Sequence, residues 1–140
     1  MKKVLIVYTS TTGNTQAMAE AVKEGIIRTG ADADCLEASA SPSLEGYDGY
    51  CFGCPAMGAE VLEEAEFEPY FSSVEGQLAN QKTALFGSYG WGDGQWMRDW
   101  QDRVTQDGAL LFEEGLIVNG TPEASALEEC RSFGERFTSF

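Results

Sequence analysis

Short apolar stretches alternate along this chain with stretches of helical spacing. Val4–Tyr8 is a continuous β-rich run, which is typical of a strand covered on both faces. Between Thr15 and Thr29, Met18, Val22 and Ile26 fall on one side of a helix. Further strands are predicted over 31–38, 47–53, 82–87 and 108–118, the last interrupted around 113–115, and further helices over 67–78, 95–106 and from 121 to about 137. This alternation indicates a parallel sheet with helices on both faces.

Length and charge limit what the chain can do. Its 140 residues fit one domain, spanning 1–140, with one core. Nine Lys and Arg against 23 Asp and Glu give a formal net charge of −14, which repels nucleic acid and anionic membranes. The same charge attracts a basic protein face or simply keeps the chain soluble. The absence of histidine excludes Ser-His-Asp and Cys-His mechanisms. The N-terminal apolar run is too short for a signal peptide or a membrane span, so we expect a cytoplasmic protein.

The four cysteines include one C-x-x-C pair, Cys51 and Cys54. A thioredoxin-type pair would open a helix, whereas these two lie at the predicted end of a strand, where residues three apart point to opposite faces. The chain has no second C-x-x-C and no histidine to complete a zinc site. We therefore interpret them as structural thiols, reduced in the cytoplasm.

Three loops, at residues 9–15, 54–60 and 88–94, follow the first, third and fourth predicted strands. In an open parallel sheet, ligands bind beyond the carboxyl ends of the strands, so these loops should lie side by side. The first loop offers hydroxyl groups and backbone N–H groups at a helix N-terminus, which is typical of an anion site. It lacks both the lysine of a Walker loop and the glycines of a dinucleotide loop. It therefore suits a phosphate monoester held by neutral donors, and an ordinary helix cap is the alternative.

The other two loops offer groups that pack against flat rings. Tyr89 and Trp91 stand among glycines in the third loop, and Met57 precedes Gly58 in the second. Methionine is polarizable and packs well against aromatic systems. The alternative for Trp91 is burial in the core. A ring held between Met57 and Trp91, with a phosphate in the first loop, describes flavin mononucleotide (FMN).

Three motifs in this order resemble the short-chain flavodoxins of the clostridial type. They are T-S-T-T-G-N-T at 9–15, A-M-G at 56–58 and G-S-Y-G-W-G-D-G at 87–94. The resemblance covers essentially the whole chain. It implies a flavodoxin-like three-layer α/β sandwich with a five-stranded parallel sheet in the order 2-1-3-4-5. It also implies a low-potential electron carrier rather than an enzyme, in which non-covalently bound FMN passes single electrons between redox proteins through its quinone, semiquinone and hydroquinone forms.

The resemblance also assigns roles to residues. Residues 10–15 hold the phosphate, and Met57 and Trp91 flank the two faces of the ring. The peptide 58–59 turns over on reduction, so that its carbonyl accepts a hydrogen bond from flavin N5–H, and the Glu60 side chain reaches flavin N3. Ser88, Tyr89 and Gly90 line the pyrimidine edge of the ring. The full set of candidate cofactor-binding residues is Ser10, Thr11, Thr12, Gly13, Asn14, Thr15, Pro55, Ala56, Met57, Gly58, Ala59, Glu60, Ser88, Tyr89, Gly90, Trp91 and Asp93.

The chain departs from the family pattern at three positions. Pro55 stands where such sequences often carry a serine that contacts phosphate, so we expect one contact fewer and a stiffer loop. Thr11 replaces a common glycine. Ala59 stands where Asp is common, and its Cβ should restrict the alternative turn more than a glycine would.

Acidic residues follow two of the three loops, and no Lys or Arg lies in any of them. The acids are Glu60, Glu63, Glu64, Glu66, Glu68, Asp93 and Asp99. We expect this charge to oppose a second electron and to make fully reduced FMN a strong reductant. By resemblance, the partners are reductases and oxidoreductases with basic docking faces, met in weak and salt-sensitive encounters by a monomer.

Two other functions fit an α/β chain of this size. An FMN-dependent NAD(P)H:quinone reductase needs room for nicotinamide over the ring, and Met57 and Trp91 leave little. A signalling receiver domain needs an acidic pocket at the ends of strands one and three. Tyr8 and Thr9 end the first strand without an acid, which disfavours that reading.

Overall fold

The computed structural model describes residues 1–140. Its strands are β1 (Lys3–Tyr8), β2 (Asp32–Glu37), β3 (Gly49–Gly53), β4 (Lys82–Tyr89), β5 (Leu110–Leu111) and β6 (Leu116–Asn119). Its helices are α1 (Asn14–Arg28), α2 (Phe67–Val74), α3 (Gln95–Gln106) and α4 (Ala124–Phe137). Short 3₁₀ turns cover Ala38–Ala40 and Glu75–Gln77. No helix is both long and apolar enough to cross a bilayer.

All strand pairs are parallel, and the first four strands lie in the order β2-β1-β3-β4. The fifth position is shared, because β5 pairs with the start of β4 and β6 with its end. The predicted α/β sandwich with strand order 2-1-3-4-5 is therefore confirmed. The predicted interruption is confirmed as well: Glu113 has a φ of 49°, and Gln101 Oε1 accepts a hydrogen bond from Gly115 N over 2.7 Å.

Apolar side chains cover both faces of the sheet. Helices α1 and α4 pack on one face through residues such as Met18 and Phe133, while α2 and α3 pack on the other through residues such as Phe71. Cys51 and Cys54 are completely buried in opposite layers, and burial raises the pKa of both thiols. The prediction that the two side chains point to opposite faces of the sheet is confirmed.

Some predicted boundaries were wrong. The helix predicted over 67–78 ends at Val74, where the chain tightens into a 3₁₀ turn. The third strand begins at Gly49 rather than at Tyr47. The last helix was predicted from residue 121, but Glu123 is extended and α4 begins at Ala124.

Strand register brings the three predicted loops together. Tyr8 lies opposite Gly53, and Gly53 lies opposite Phe86. Backbone hydrogen bonds continue past the strand ends, from Ala56 N to Ser88 O over 3.0 Å and from Thr9 N to Gly53 O over 3.0 Å. The loops that follow β1, β3 and β4 therefore share one edge of the sheet, as expected for a ligand site.

Candidate functional site

The first loop is shaped by Ser10 and by Gly13, whose φ is 91°. Ser10 Oγ accepts hydrogen bonds from Gly13 N over 3.1 Å and from Gln16 N over 3.2 Å. The side chain of Ser10 thus caps the start of α1. Gly13 occupies the N-cap position itself, so Ser10 is not an ordinary N-cap residue, and its hydroxyl hydrogen is left free to donate.

Most backbone N–H groups of this loop have no acceptor within the protein. Those that donate to nothing belong to Ser10, Thr11, Thr12, Asn14 and Thr15. At the base of the loop, Thr9 Oγ1 is also buried without a partner. Unpaired donors around a helix N-terminus attract an anion, so the donor set fits a phosphate group without a cation.

The Thr15 side chain joins the first loop to the third. Its hydroxyl is buried and lies 2.8 Å from Ser88 Oγ, and Ser88 N donates to Thr15 Oγ1 over 3.4 Å. These bonds tie the start of α1 to β4. The backbone N–H of Thr15 donates to no atom of the protein.

A cleft of about 430 Å³ separates the second and third loops. Its lining residues are Ala56, Met57, Gly58, Glu60, Gly90, Trp91 and Gly92. Trp91 is 88% exposed, in contrast to the buried Trp96 and Trp100. The alternative that Trp91 belongs to the core is therefore wrong, and Met57 and Trp91 line the same slot.

A second cleft, of about 170 Å³, adjoins the first and shares Ala56 and Gly90 with it. It is lined by Thr11, Thr12, Asn14, Pro55, Ala56, Ser88, Tyr89, Gly90 and Gly120. The two clefts together, called the joined cleft below, have free N–H donors at one end and an apolar slot at the other. This arrangement suits a ligand with a phosphate at one end and a flat ring at the other.

The second loop contains a tight turn over Met57–Glu60. Glu60 N donates to Met57 O over 2.8 Å, and Met57 N donates to Val61 O over 2.9 Å. The two central residues, Gly58 and Ala59, both have negative φ, as in a type I turn. The Gly58–Ala59 peptide is therefore exposed at the tip of a loop that is closed by two backbone bonds.

The carboxylate of Glu60 joins the second loop to the third. Its Oε2 accepts a hydrogen bond from Trp96 N over 2.9 Å, at the start of α3. Its Oε1 occupies the space that a Cβ on Gly92 would need. Gly92, with a φ of 99°, is therefore required for close approach as well as for conformation.

Two side chains outside the third loop hold its ends. Arg98 Nη1 donates to Asp93 O, and Arg98 Nη2 donates to Asp93 Oδ1, each over 3.0 Å. Asn119 Nδ2 donates to Gly90 O over 3.0 Å. Trp91 and Gly92 stand between these two anchors and make no hydrogen bond within the protein.

Not every candidate residue lines the joined cleft. Those that do not are Ser10, Gly13, Thr15, Ala59 and Asp93. Asp93 instead forms a salt bridge with Arg98. Arg98 lies four residues beyond the third loop, so the sequence analysis, which considered only charges within the loops, did not include it. Gly92 and Gly120 line the joined cleft but were not predicted. Gly120 directly follows the carboxyl end of β6. Because ligands bind beyond such strand ends, a sequence analysis that ended the fifth strand at Asn119 would have included Gly120.

Some acidic residues near the joined cleft serve the fold. Glu63 is buried, and its carboxylate accepts hydrogen bonds from the backbone N–H groups of Ala65, Glu66 and Phe67 over 2.7–2.8 Å. Burial alone would raise the pKa of Glu63, but these three N–H groups hold it below its ordinary value. Glu68 pairs with Arg103 over 2.7 Å. Among the acids of 60–68, the exposed ones without a partner are Glu64 and Glu66.

Comparisons with known proteins agree with this geometry. A family model described as flavodoxin matches residues 6–134. The chain is 44% identical to a flavodoxin of Clostridium beijerinckii over 96% of its length and 98% of that protein. It is 40% identical to a flavodoxin of Megasphaera elsdenii, over 94% of this chain and 96% of the other.

Solved structures give the same result. The solution structure of two-electron reduced Megasphaera elsdenii flavodoxin superposes with a TM-score of 0.88 at 39% identity, over 98% of this chain and 99% of that one. Oxidised flavodoxin 1 of Bacillus cereus superposes with a TM-score of 0.87 at 28% identity, over 99% and 98% of the two chains.

Proposed function

The chain belongs to the flavodoxin family, whose members are small FMN-binding electron carriers and not enzymes, and we propose that its FMN lies in the joined cleft. When bound, FMN accepts and releases electrons one at a time. This placement rests on the different chemistry of the two ends of the joined cleft. One end has unpaired N–H donors from the first loop, and the other has the exposed Trp91 facing the Met57 loop. Residues 1–140 form one FMN-binding domain in this proposal.

The phosphate is held by neutral donors. The backbone N–H groups of residues 10–12, 14 and 15 surround it, with the hydroxyls of Ser10, Thr11 and Thr12. Gly13 allows the loop to close with a positive φ. Hydrogen bonds from N–H groups to a charged acceptor contribute about 1.5–3 kcal/mol each, so several of them replace the missing cation. Pro55 lines this end and offers no N–H of its own.

The ring lies between Met57 and Trp91. Ala56 forms the floor where the two clefts meet, and Ser88, Tyr89 and Gly90 form the edge below the third loop. Tyr89 is supported from behind by Trp96, with ring centroids 5.6 Å apart. Glu60 closes the side of the slot through its bond to Trp96 N, and Asp93 holds the loop that carries Trp91 through Arg98.

Gly58 provides the movable carbonyl beside the ring. In the observed turn Gly58 occupies the first central position and Ala59 the second. Turning over the peptide between them converts a type I turn into a type II turn, in which the second central residue has positive φ. The Cβ of Ala59 makes that φ more costly than a glycine would, so it opposes the turnover without changing the Gly58 carbonyl itself.

The charges around the joined cleft favour a low potential for the second electron. No Lys or Arg lies in the three loops, and Arg98, just beyond them, is paired with Asp93. A phosphate without a cation and a net charge of −14 both oppose further negative charge on the ring. Fully reduced FMN held here is therefore a strong reductant.

The partners in this proposal are redox proteins with basic docking faces. Trp91 is exposed at the ring end of the joined cleft, and Val61, directly after the second loop, is a further exposed apolar group. Glu64 and Glu66 follow Val61 by three and five residues as exposed acids without a salt-bridge partner. An apolar centre with an acidic rim fits a basic face with a matching apolar patch. We also propose that the chain acts as a monomer and works in the cytoplasm, where free cysteines such as its own stay reduced.

A redox titration of the FMN-loaded protein tests this function. We expect two separate one-electron steps, the second at a more negative potential than in free FMN. NADH alone should leave the oxidised protein unchanged, since Trp91 and Met57 leave no room over the ring for nicotinamide. A single unresolved two-electron step, or rapid bleaching by NADH, would favour the reductase function instead.

A further inference from the structure

The Gly90 carbonyl is held from the β6 side by the Asn119 side chain. Asn119 Nδ2 donates to Gly90 O over 3.0 Å. The preceding carbonyl, Tyr89 O, accepts a hydrogen bond from Gly120 N over 2.8 Å. This bond continues the β4–β6 ladder, in which Tyr89 lies opposite Asn119. Two successive carbonyls of the third loop are therefore bound from the same side.

This arrangement departs from strand geometry. Along an extended strand, successive carbonyls face opposite neighbours. Ser88 O faces β3, since it accepts from Ala56 N over 3.0 Å, and Tyr89 O faces β6. Continued extension would turn Gly90 O toward the second loop. Gly90 O instead faces β6, where it accepts from Asn119 Nδ2, so the Gly90–Trp91 peptide has the opposite orientation to that of a continued strand.

The N–H group of that same peptide belongs to Trp91. The chain has no cis peptide, and in a trans peptide the N–H and C=O bonds point in opposite directions. With Gly90 O bound on the β6 side, Trp91 N–H points away from β6. It donates to no atom of the protein. On that side lie Ala56 and Met57, which line the ring end of the joined cleft together with Gly90 and Trp91.

We propose that Asn119 is a positioning residue that, through the Gly90 carbonyl, aims the Trp91 N–H at the edge of the FMN ring. The proposal rests on the FMN site described above. Asn119 acts only through this peptide. A donor fixed in advance toward a place where negative charge develops stabilises that charge without reorganisation, and hydrogen bonds to the flavin ring tune its electronics. Asn119 thereby raises the potential of the second electron above the value that the acidic surroundings alone would give.

The test uses Asn119→Ala and Asn119→Leu, the second of which keeps the approximate size of the side chain without its donor. The control is Thr121→Ala, an exposed neighbour in the same segment that makes no hydrogen bond. Affinities for FMN and riboflavin and the two one-electron potentials are measured for each protein. We expect both Asn119 variants to bind FMN and riboflavin more weakly by the same factor, roughly threefold to tenfold for one lost hydrogen bond. The potential of the second electron should become more negative, which a merely structural role would not require.

Three outcomes would overturn the proposal. Potentials equal to those of the Thr121→Ala control would remove the link to the ring. A loss of FMN affinity with riboflavin affinity unchanged would place Asn119 at the phosphate instead. If the unaltered chain fails to bind FMN, the site itself is wrong, and that result is distinguishable because it does not depend on Asn119.

Discussion

Trp91 shows most clearly how a single residue reports on function. A tryptophan that is 88% exposed gives up the burial that makes this side chain stabilising in a core. Its neighbours in the loop are glycines, so nothing in the protein covers it. The proposed ring provides that cover, and a docked partner provides it on the outer side.

Replacing Trp91 by Ala should weaken binding of both FMN and riboflavin by roughly threefold to tenfold, the effect of one stacked aromatic pair. Because the side chain is exposed, the free energy of unfolding of the FMN-free protein should change by less than about 0.5 kcal/mol. Fluorescence titration and urea unfolding measure the two quantities. Ile27→Ala is the control, an exposed apolar residue on α1 that should affect neither affinity. Unchanged flavin affinity in Trp91→Ala would remove Trp91 from the site.

The carboxyl group of Asp107 makes the stability of the protein depend on pH. Partial burial, and then the neighbouring Glu75 carboxylate, raise the pKa of Asp107 to about 6, and its Oδ2 is buried without a partner. The folded state therefore binds this proton more tightly than the unfolded state does, so the charge destabilises the protein above pH 6, and the penalty disappears as the pH falls toward 4.

Asp107→Asn should accordingly stabilise the protein at pH 7 by about 1 kcal/mol, after allowance for solvent screening. The advantage should shrink in urea unfolding experiments repeated between pH 7 and pH 4. Asp102→Asn, on an exposed site of α3, changes the same charge and should show no such trend. A gap that stays constant with pH would show that the charge of Asp107 is not responsible.

The start of helix α2 is capped by Glu63, a residue that lies outside the helix. Glu63 accepts from three backbone N–H groups, and its pKa lies below its ordinary value for this reason. Its contribution to stability is present above the unfolded-state pKa of about 4.3 and is lost as the pH falls through the lower folded-state value.

Glu63→Ala should lower the free energy of unfolding at pH 7 by about 2–3 kcal/mol, because it leaves these N–H groups without an acceptor. Glu64→Ala removes the same type of side chain from the next, exposed position and should cost less than about 0.5 kcal/mol. Urea unfolding at pH 7 and pH 3 measures both. Equal effects of the two substitutions would refute the cap.

The elements themselves were largely predictable, and so was the edge at which the site lies. Continuous apolar runs such as Val4–Tyr8 indicated strands covered on both sides, and glycine-rich loops marked their carboxyl ends. The hydrogen-bond partner of each loop hydroxyl was not predictable. That Thr15 bonds Ser88 depends on contacts between residues 73 positions apart, and the anchor from Asn119 to Gly90 spans 29 positions. Local pattern contains no information about such pairs.

At the scale of the whole molecule, charge distribution matters more than total charge. Arginines neutralise many of the acids, as Arg28 and Arg131 do on the face formed by α1 and α4. Glu64 and Glu66 have no such partner and follow the second loop, four and six residues beyond Glu60. A basic partner should therefore be steered to the mouth of the joined cleft rather than to the surface in general.

Glu64→Gln combined with Glu66→Gln should slow electron transfer to a basic redox protein several-fold at low salt. Raising the salt should reduce the difference, because the Debye length falls from about 30 Å at 0.01 M to about 10 Å at 0.1 M. Glu45→Gln combined with Glu129→Gln removes the same charge from exposed positions away from the site and should have a smaller effect. Stopped-flow rates that are indifferent to salt, or equal in the two double variants, would contradict docking at this mouth.

The central claim is that the first loop binds the phosphate of FMN through neutral N–H donors, and a paired titration of the FMN-free protein with FMN and with riboflavin tests it most directly. The two ligands differ only in the phosphate. Several charge-assisted hydrogen bonds predict that FMN binds at least about 100-fold more tightly than riboflavin. Equal affinities for the two ligands would contradict the account, because the free N–H groups of residues 10–12, 14 and 15 would then contribute nothing to binding.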